Sequence, residues 1–146
     1  MRNMVIDASV VAKWYITEED SDKAIQIRDL HSAGKVVLSS PLIVIYEIGN
    51  VLTKHPSFTP ESSASAFQSL LNLGIELRSF ADTKLLGRSF EISKQLKVTF
   101  YDAMYVVLTK EHDATLITAD RDLFTKTGQY CATQLLRETK PEEISA

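Results

Sequence analysis

Four acids stand where a folded chain gains nothing in solubility from them. Asp7 ends the apolar run of "MVID", and Asp120 follows the apolar run of "TLITAD". Glu47 is the only charge in "PLIVIYEIGNVL", and Asp102 lies in "TFYDAMYVV". Each has a structural reading of its own. Asp7 and Asp120 can each cap a helix, worth about 1 kcal/mol. Thr99-x-x-Asp102 matches a capping box. Glu47 can snorkel to water or meet one Lys or Arg. Asp122 falls in the first turn after Asp120, where an acid favours the helix dipole.

Taken together, the acids ask for something cationic. A buried, unpaired carboxylate is costly, and two like charges ~4 Å apart repel by roughly 4 kcal/mol at an effective dielectric of 20. Oxygen donors alone suit Mg²⁺ or Mn²⁺ rather than zinc, which would want His or Cys. Magnesium keeps several waters and leaves positions for phosphate oxygens. His31, His55 and His112 show no metal-ligand spacing and read as surface residues. Asn50, three residues after Glu47, shares its helix face and can orient it or touch the same ligand.

Elements that alternate would bring these acids together. "MVID" reads as a buried strand, "SVVAKWYI" as a helix, and Asp20-Ser21 as the start of the next helix, closed by Gly34. "VVLS" is a second strand. Ser40-Pro41 reads as a helix start for "LIVIYEIGNVLTK", and Thr59-Pro60-Glu61 as another, closed by Gly74. "IELRSF" alternates as a strand, residues 82–96 form an amphipathic helix, and Thr99 opens the helix "FYDAMYVVLTKEH". The strand "TLIT", a short helix from Asp120 and an apolar stretch near 131–136 complete residues 1–136. The tail, 137–146, is polar and expected to fray. Strand–helix alternation predicts a single α/β domain, with a mostly parallel sheet of about five strands and helices on both faces. Ligands of such sheets bind beyond the carboxyl ends of the strands. Asp7 and Asp120 lie there.

The bulk numbers fit this reading. The 146 residues suit one domain, and 45% hydrophobic with 24% charged residues is ordinary for a globular chain. No apolar run approaches the ~18 residues of a membrane span, and Asp7 interrupts what could be a leader. One cysteine makes no internal disulfide, so a reducing cytoplasm is expected and Cys131 reads as a small core residue. The net charge of −3 excludes a broadly basic protein, but with the four acids set aside the remainder is +1.

The segments "VIDASVV", "IYEIGNVL", "TFYDAMYVVLTKE" and "LITADRDLF", in that order, resemble the PIN-domain ribonucleases, most closely the VapC-type toxins of toxin–antitoxin pairs. The resemblance spans essentially the whole chain. It maps the family's acids onto Asp7, Glu47, Asp102 and Asp120, a polar residue one turn after the second acid onto Asn50, and an extra acid of some relatives onto Asp122. Thr118 keeps the hydroxyl of the fourth motif. Ala8 departs from the Thr found in many relatives, and only Ser9 offers a hydroxyl nearby.

The resemblance implies a metal-dependent endoribonuclease, an antitoxin partner and a homodimer. Phosphodiester hydrolysis needs a nucleophile at neutral pH and a counter-charge for the transition state. One or two Mg²⁺ or Mn²⁺ ions meet both needs. Asp7, Asp102 and Asp120 are then direct ligands. Glu47 binds the metal directly, through water, or orients the attacking water. Lys13, Arg88 and Arg121 are candidate contacts to RNA phosphates, beside the plainer reading of solvated surface cations. The antitoxin would lay an amphipathic segment in an apolar groove near the acids. Trp14 and Tyr15 could line that groove or pack in the core. The stripe Ala64, Phe67, Leu70 and Leu71 could serve the dimer or face the core. Two rival classes remain: a PIN fold that only binds RNA or scaffolds partners, and a receiver or haloacid-dehalogenase-like phosphatase. Against the latter, the chain reads Asp7-Ala8-Ser9 rather than Asp-x-Asp.

Overall fold

The computed structural model describes residues 1–144. Strand β1 (Arg2–Ile6) buries its last three residues, and a short helix α1 (Ala8–Val11) follows, running into a 3-10 turn at Ala12–Trp14. Then come α2 (Ser21–Ser32), β2 (Val36–Pro41), α3 (Ile43–Lys54), α4 (Pro60–Asn72) and β3 (Glu76–Arg78). The remainder is α5 (Thr83–Leu96), α6 (Phe100–Glu111), β4 (Thr115–Thr118), α7 (Arg121–Thr127), β5 (Thr133–Leu135), a 3-10 turn at Leu136–Glu138, and α8 (Pro141–Ile144).

The five strands form one sheet in the order β3-β2-β1-β4-β5, and every pairing is parallel. Parallel strands covered on both faces must be apolar throughout. Val5, Ile6, Leu38, Leu116 and Ile117 accordingly have no exposed surface. Burial of each such side chain contributes about 1.5–3 kcal/mol. Helix α6 packs on β1, β2, β4 and α5, and its residues 103–109 are all buried. The chain winds outward from β1 to β2 and β3, then returns to β4 on β1's other side. The topological switch point therefore lies between β1 and β4, where open α/β sheets bind ligands. Receivers order their strands 2-1-3-4-5, so this order sets the chain apart from them.

Local chemistry explains the helix starts, with three differences from the sequence reading. Helix α3 opens at Ile43 after Leu42, not at Ser40-Pro41. Both of those residues belong to β2, and the Ser40 hydroxyl donates to the Ile6 carbonyl at 3.0 Å. Asp20 does open α2, but through a left-handed backbone (φ 63°) with no side-chain cap. The histidines are half-buried rather than on the surface. His31 bridges α2 to β2 and to the turn before β3, with Nδ1 accepting from the Leu38 amide and Nε2 lying 2.9 Å from the Leu73 carbonyl. Gly34 and Gly74 close α2 and α4 at φ 71° and 67°, a conformation that any side chain would strain.

Part of the polar tail is anchored. Thr139, Pro141 and Ile144 are buried, and α8 packs against α2. Residues 145 and 146, the end of that tail, lie outside the described residues. Cys131 is buried, as expected. Among the described residues, no helix is long and apolar enough to cross a membrane.

Candidate functional site

Asp7 leaves β1 with extended backbone and caps α1, its Oδ1 accepting from the Val10 amide at 3.3 Å. The cap reading is therefore correct, yet it uses little of the carboxylate. Ser9 Oγ donates to Oδ1 at 2.5 Å, and Thr118 Oγ1 donates to Oδ2. Both hydroxyls also accept from the chain beyond β4: Ser9 from the Ala119 amide at 2.9 Å and Thr118 from the Asp120 amide at 3.0 Å. Two hydroxyls thus clasp the end of β1 to the end of β4. Ser9 supplies the contact that Ala8 cannot.

Asp7 is 5% exposed. Burial pushes its carboxyl up to about 6, and the charge of Asp102 adds to the rise; the hydrogen bonds from Ser9, Thr118 and Val10 hold it back. Asp102 sits in the first turn of α6. The Thr99 hydroxyl caps that helix by accepting from the Asp102 amide at 3.0 Å. Only this half of the expected capping box forms, so the Asp102 carboxylate remains available. Burial raises its pKa first, and Asp120 and Asp122 raise it further, against the opposing pull of the Thr99 hydroxyl and Lys126. Glu47 projects from α3, half-buried. Burial raises it, Asp102 adds to the rise, and one hydrogen bond from Tyr105 opposes both. Asp120 is exposed and caps α7 through the Asp122 and Leu123 amides at 2.9 and 3.1 Å.

Asp102 is thus the centre of a like-charged group, sensing or sensed by Asp7, Glu47, Asp120 and Asp122. Asp122 is partly neutralised by an ion pair with Lys126 at 3.0 Å. No three acids, histidines or cysteines among the described residues are drawn together as a ready-made metal group. The donor set nevertheless fits a hard divalent cation. Every donor is a carboxylate oxygen, and burial and mutual repulsion penalise the anionic form at Asp7, Glu47 and Asp102.

The sequence reading missed Tyr105. Its hydroxyl donates to Glu47 Oε1 at 2.6 Å from a side chain only 1% exposed. Burial pushes its own pKa up, and the Glu47 charge pushes it further, so the phenol stays a donor. Tyr105 follows Asp102 by three residues and shares its helix face. That spacing, with a hydroxyl amid apolar residues, was the available signal. Asn50 instead is exposed and makes no side-chain hydrogen bond among the described residues, so the orientation of Glu47 falls to Tyr105. Of the candidate cations, Lys13 and Arg121 line one cleft beside Ala119, whereas Arg88 lies half-buried on α5. Trp14 is a core residue, 7% exposed, with its indole N–H donating to the Ala24 carbonyl at 2.9 Å.

Known proteins share this arrangement of the chain. The PIN domain family model matches residues 4–129. A protein named ribonuclease VapC3, from Pyrobaculum aerophilum, is 28% identical over 130 residues, covering 84% of this chain and 93% of that one. A crystal structure of a Pyrobaculum aerophilum protein superposes with a TM-score of 0.63 at 25% identity, covering 90% of this chain and 83% of that one. A toxin–antitoxin complex from Klebsiella pneumoniae contains a chain with the same fold, TM-score 0.69 at 13% identity, covering 93% and 99% of the two chains. The family match runs from β1 through α7 and so includes all four acids, the two hydroxyls that clasp Asp7, and the switch point they surround: the chain belongs to the PIN-domain family.

Proposed function

We propose that this chain is a metal-dependent endoribonuclease that hydrolyses RNA phosphodiester bonds, and that it is the toxin of a toxin–antitoxin pair. The observation that supports it most is the group of like-charged acids around the switch point, with Asp102 at its centre and Lys126 opposing their charge. The relative named ribonuclease VapC3 points the same way. Asp7, Asp102 and Asp120 would hold Mg²⁺ or Mn²⁺. A bound ion supplies an acidified water and a counter-charge for the phosphoryl oxygens. The protein's own part is positioning. Ser9 and Thr118 fix both oxygens of Asp7. Tyr105 fixes Glu47, which would orient the attacking water or help to hold a bound ion. Lys13 and Arg121 hold phosphates of the RNA, and Thr118 joins the first and fourth acid motifs.

The partners follow from exposed apolar surface. Tyr46, Phe90 and Tyr101 are 65%, 60% and 55% exposed on α3, α5 and α6, the helices that bear or adjoin Glu47 and Asp102. They suit an amphipathic antitoxin segment better than Trp14, which is buried. On α4, Leu71 is 54% exposed and Ala64 is exposed while Leu70 is buried, which suits a homodimer face. The test is internal cleavage of single-stranded or structured RNA by the purified chain with Mg²⁺ or Mn²⁺. Cleavage that persists undiminished in EDTA would point to a contaminant or to a metal-free reaction. An adjacent small open reading frame whose product blocks cleavage would separate a toxin from a processing nuclease.

A further inference from the structure

A second polar feature lies one step from the acids. Lys13, Glu19, Asp20, Ala119, Arg121 and Arg137 line a cleft of about 250 Å³. The three cations come from separate parts of the chain: the turn after α1, the first residue of α7 and the turn after β5. They meet beside Ala119, the residue between Thr118 and Asp120. Acids of the loop before α2, Glu19 of the lining and its neighbour Glu18, occupy two of them. Lys13 Nζ lies 3.3 Å from Glu18 Oε1 and donates to the Glu19 carbonyl at 2.6 Å, and Arg137 Nη2 meets Glu19 Oε1 at 2.7 Å. Arg121 makes no ion pair among the described residues.

We propose that this cleft is a second phosphate subsite, taking the RNA strand one or two nucleotides beyond the bond being cut, and that Glu19 occupies it until RNA displaces it. The inference rests on the nuclease reading for the identity of its ligand. Four points support it. The Glu19–Arg137 pair is exposed, with side chains 74% and 46% accessible, and such pairs stabilise a fold by only about 0–1 kcal/mol, so it yields readily. A phosphate presents several charged oxygens to the planar guanidinium, a bidentate match that one carboxylate oxygen does not make here. The lining carries a formal +1 with Glu19 and Asp20 in place and +2 once Glu19 swings out. Apart from Ala119, the one apolar lining residue is Leu135, too little surface to dock a protein segment.

The test is the affinity of a labelled single-stranded RNA in EDTA, across a salt series, for wild type, Arg137→Gln, Arg137→Lys and Glu19→Gln. Losing one phosphate contact should lower the slope of log affinity against log salt by about 0.7. Arg137→Gln should show that loss with affinity weakened by about tenfold, Arg137→Lys should keep the slope, and Glu19→Gln should bind several-fold tighter. With Mn²⁺, the advantage in kcat/KM of a longer oligonucleotide over a dinucleotide should shrink in Arg137→Gln. Wild-type affinity and slope in Arg137→Gln overturn the subsite. Unchanged affinity in Glu19→Gln overturns its gating, and that variant decides alone if Arg137→Gln fails to fold. If wild type cuts no RNA but the binding pattern holds, the nuclease reading and the placement relative to a cut bond fail, and the cleft stands as a site for RNA phosphate. If wild type cuts RNA and both variants bind as it does, only the subsite fails.

Discussion

The two ends of the sheet treat polar groups in opposite ways. Towards the amino ends, around Asn3 and His112, donors meet acceptors. The Asn3 amide donates to the His112 carbonyl at 3.5 Å, and the His112 ring lies 3.4 Å from the Ser39 hydroxyl. At the carboxyl ends, like meets like: Asp102 faces Asp7, Glu47, Asp120 and Asp122, and burial and repulsion push three of the carboxyls up. A structure that needed only stability would pair or delete these acids, since a buried charge without a partner is costly. The amino end shows what polar residues do for the fold. The carboxyl end shows charge kept at the fold's expense, as perturbed groups at a functional site are.

On the proposed function, the contrast breaks most visibly when divalent cations are withdrawn. EDTA should abolish RNA cleavage, and restored Mn²⁺ or Mg²⁺ should return it, while substitution of Asn3 or His112 leaves the metal response as in wild type. Next in size is Glu47→Gln. It keeps shape and removes charge, so the fold should persist by circular dichroism while kcat/KM falls by orders of magnitude, about 4 kcal/mol for a thousandfold. Wild-type activity would return Glu47 to a structural role.

Much of this contrast was legible in the sequence. The acids drew notice because each interrupts an apolar run, and the period of those runs placed Asp7 and Asp120 at strand ends. Capping chemistry at Thr59 and Thr99 marked the starts of α4 and α6, and apolar periodicity marked α5. What escaped depended on tertiary contacts. Ser40 looked like a helix cap because nothing local shows that its hydroxyl reaches across to β1. Trp14 stayed open between groove and core because the carbonyl that accepts its N–H is ten residues on. Tyr105 lies 58 residues from Glu47, and Arg137 sits 118 residues from Glu19, so neither pairing leaves a local pattern.

Smaller in energy is the stability of Asp7. Its folded-state pKa of about 6 lies above the ordinary 3.8, chiefly through burial. The folded chain therefore holds the proton more tightly than the unfolded one. The stability this gives is full below 3.8 and is lost as pH rises through about 6. The loss is on the order of 3 kcal/mol. In metal-free buffer at neutral pH, Asp7→Asn should melt at or above wild type, since Asn caps about as well as Asp. It should also lack this pH slope. In a Mn²⁺ titration wild type should gain stability as RT ln(1 + [L]/Kd), about 2.7 kcal/mol at a hundredfold excess, and the variant less. Equal metal-induced shifts would leave Asp7 a helix cap and nothing more.

The smallest effect sharpens the comparison most, because it asks whether the carboxyl end is organised as well as charged. Tyr105→Phe removes one oxygen and keeps the ring that packs in α6. A hydrogen bond to a charged group contributes about 1.5–3 kcal/mol when both partners are buried. Glu47 is only half-buried, so water can replace the phenol and the cost in stability should be about 1 kcal/mol or less. What water cannot replace is direction. On the proposed mechanism, Glu47 without that bond would sample rotamers that point away from the attacking water, and kcat/KM should fall by about tenfold, some 1.4 kcal/mol. A purely structural tyrosine would instead lower the melting temperature and leave kcat untouched. The decisive measurement is a double-mutant cycle with Glu47→Gln. If Tyr105 acts through Glu47, adding Tyr105→Phe to Glu47→Gln costs no further activity, and the coupling equals the full effect of the single change. Additive losses would mean that the phenol acts on something else at the site, and that Glu47 is aimed by its own helix alone.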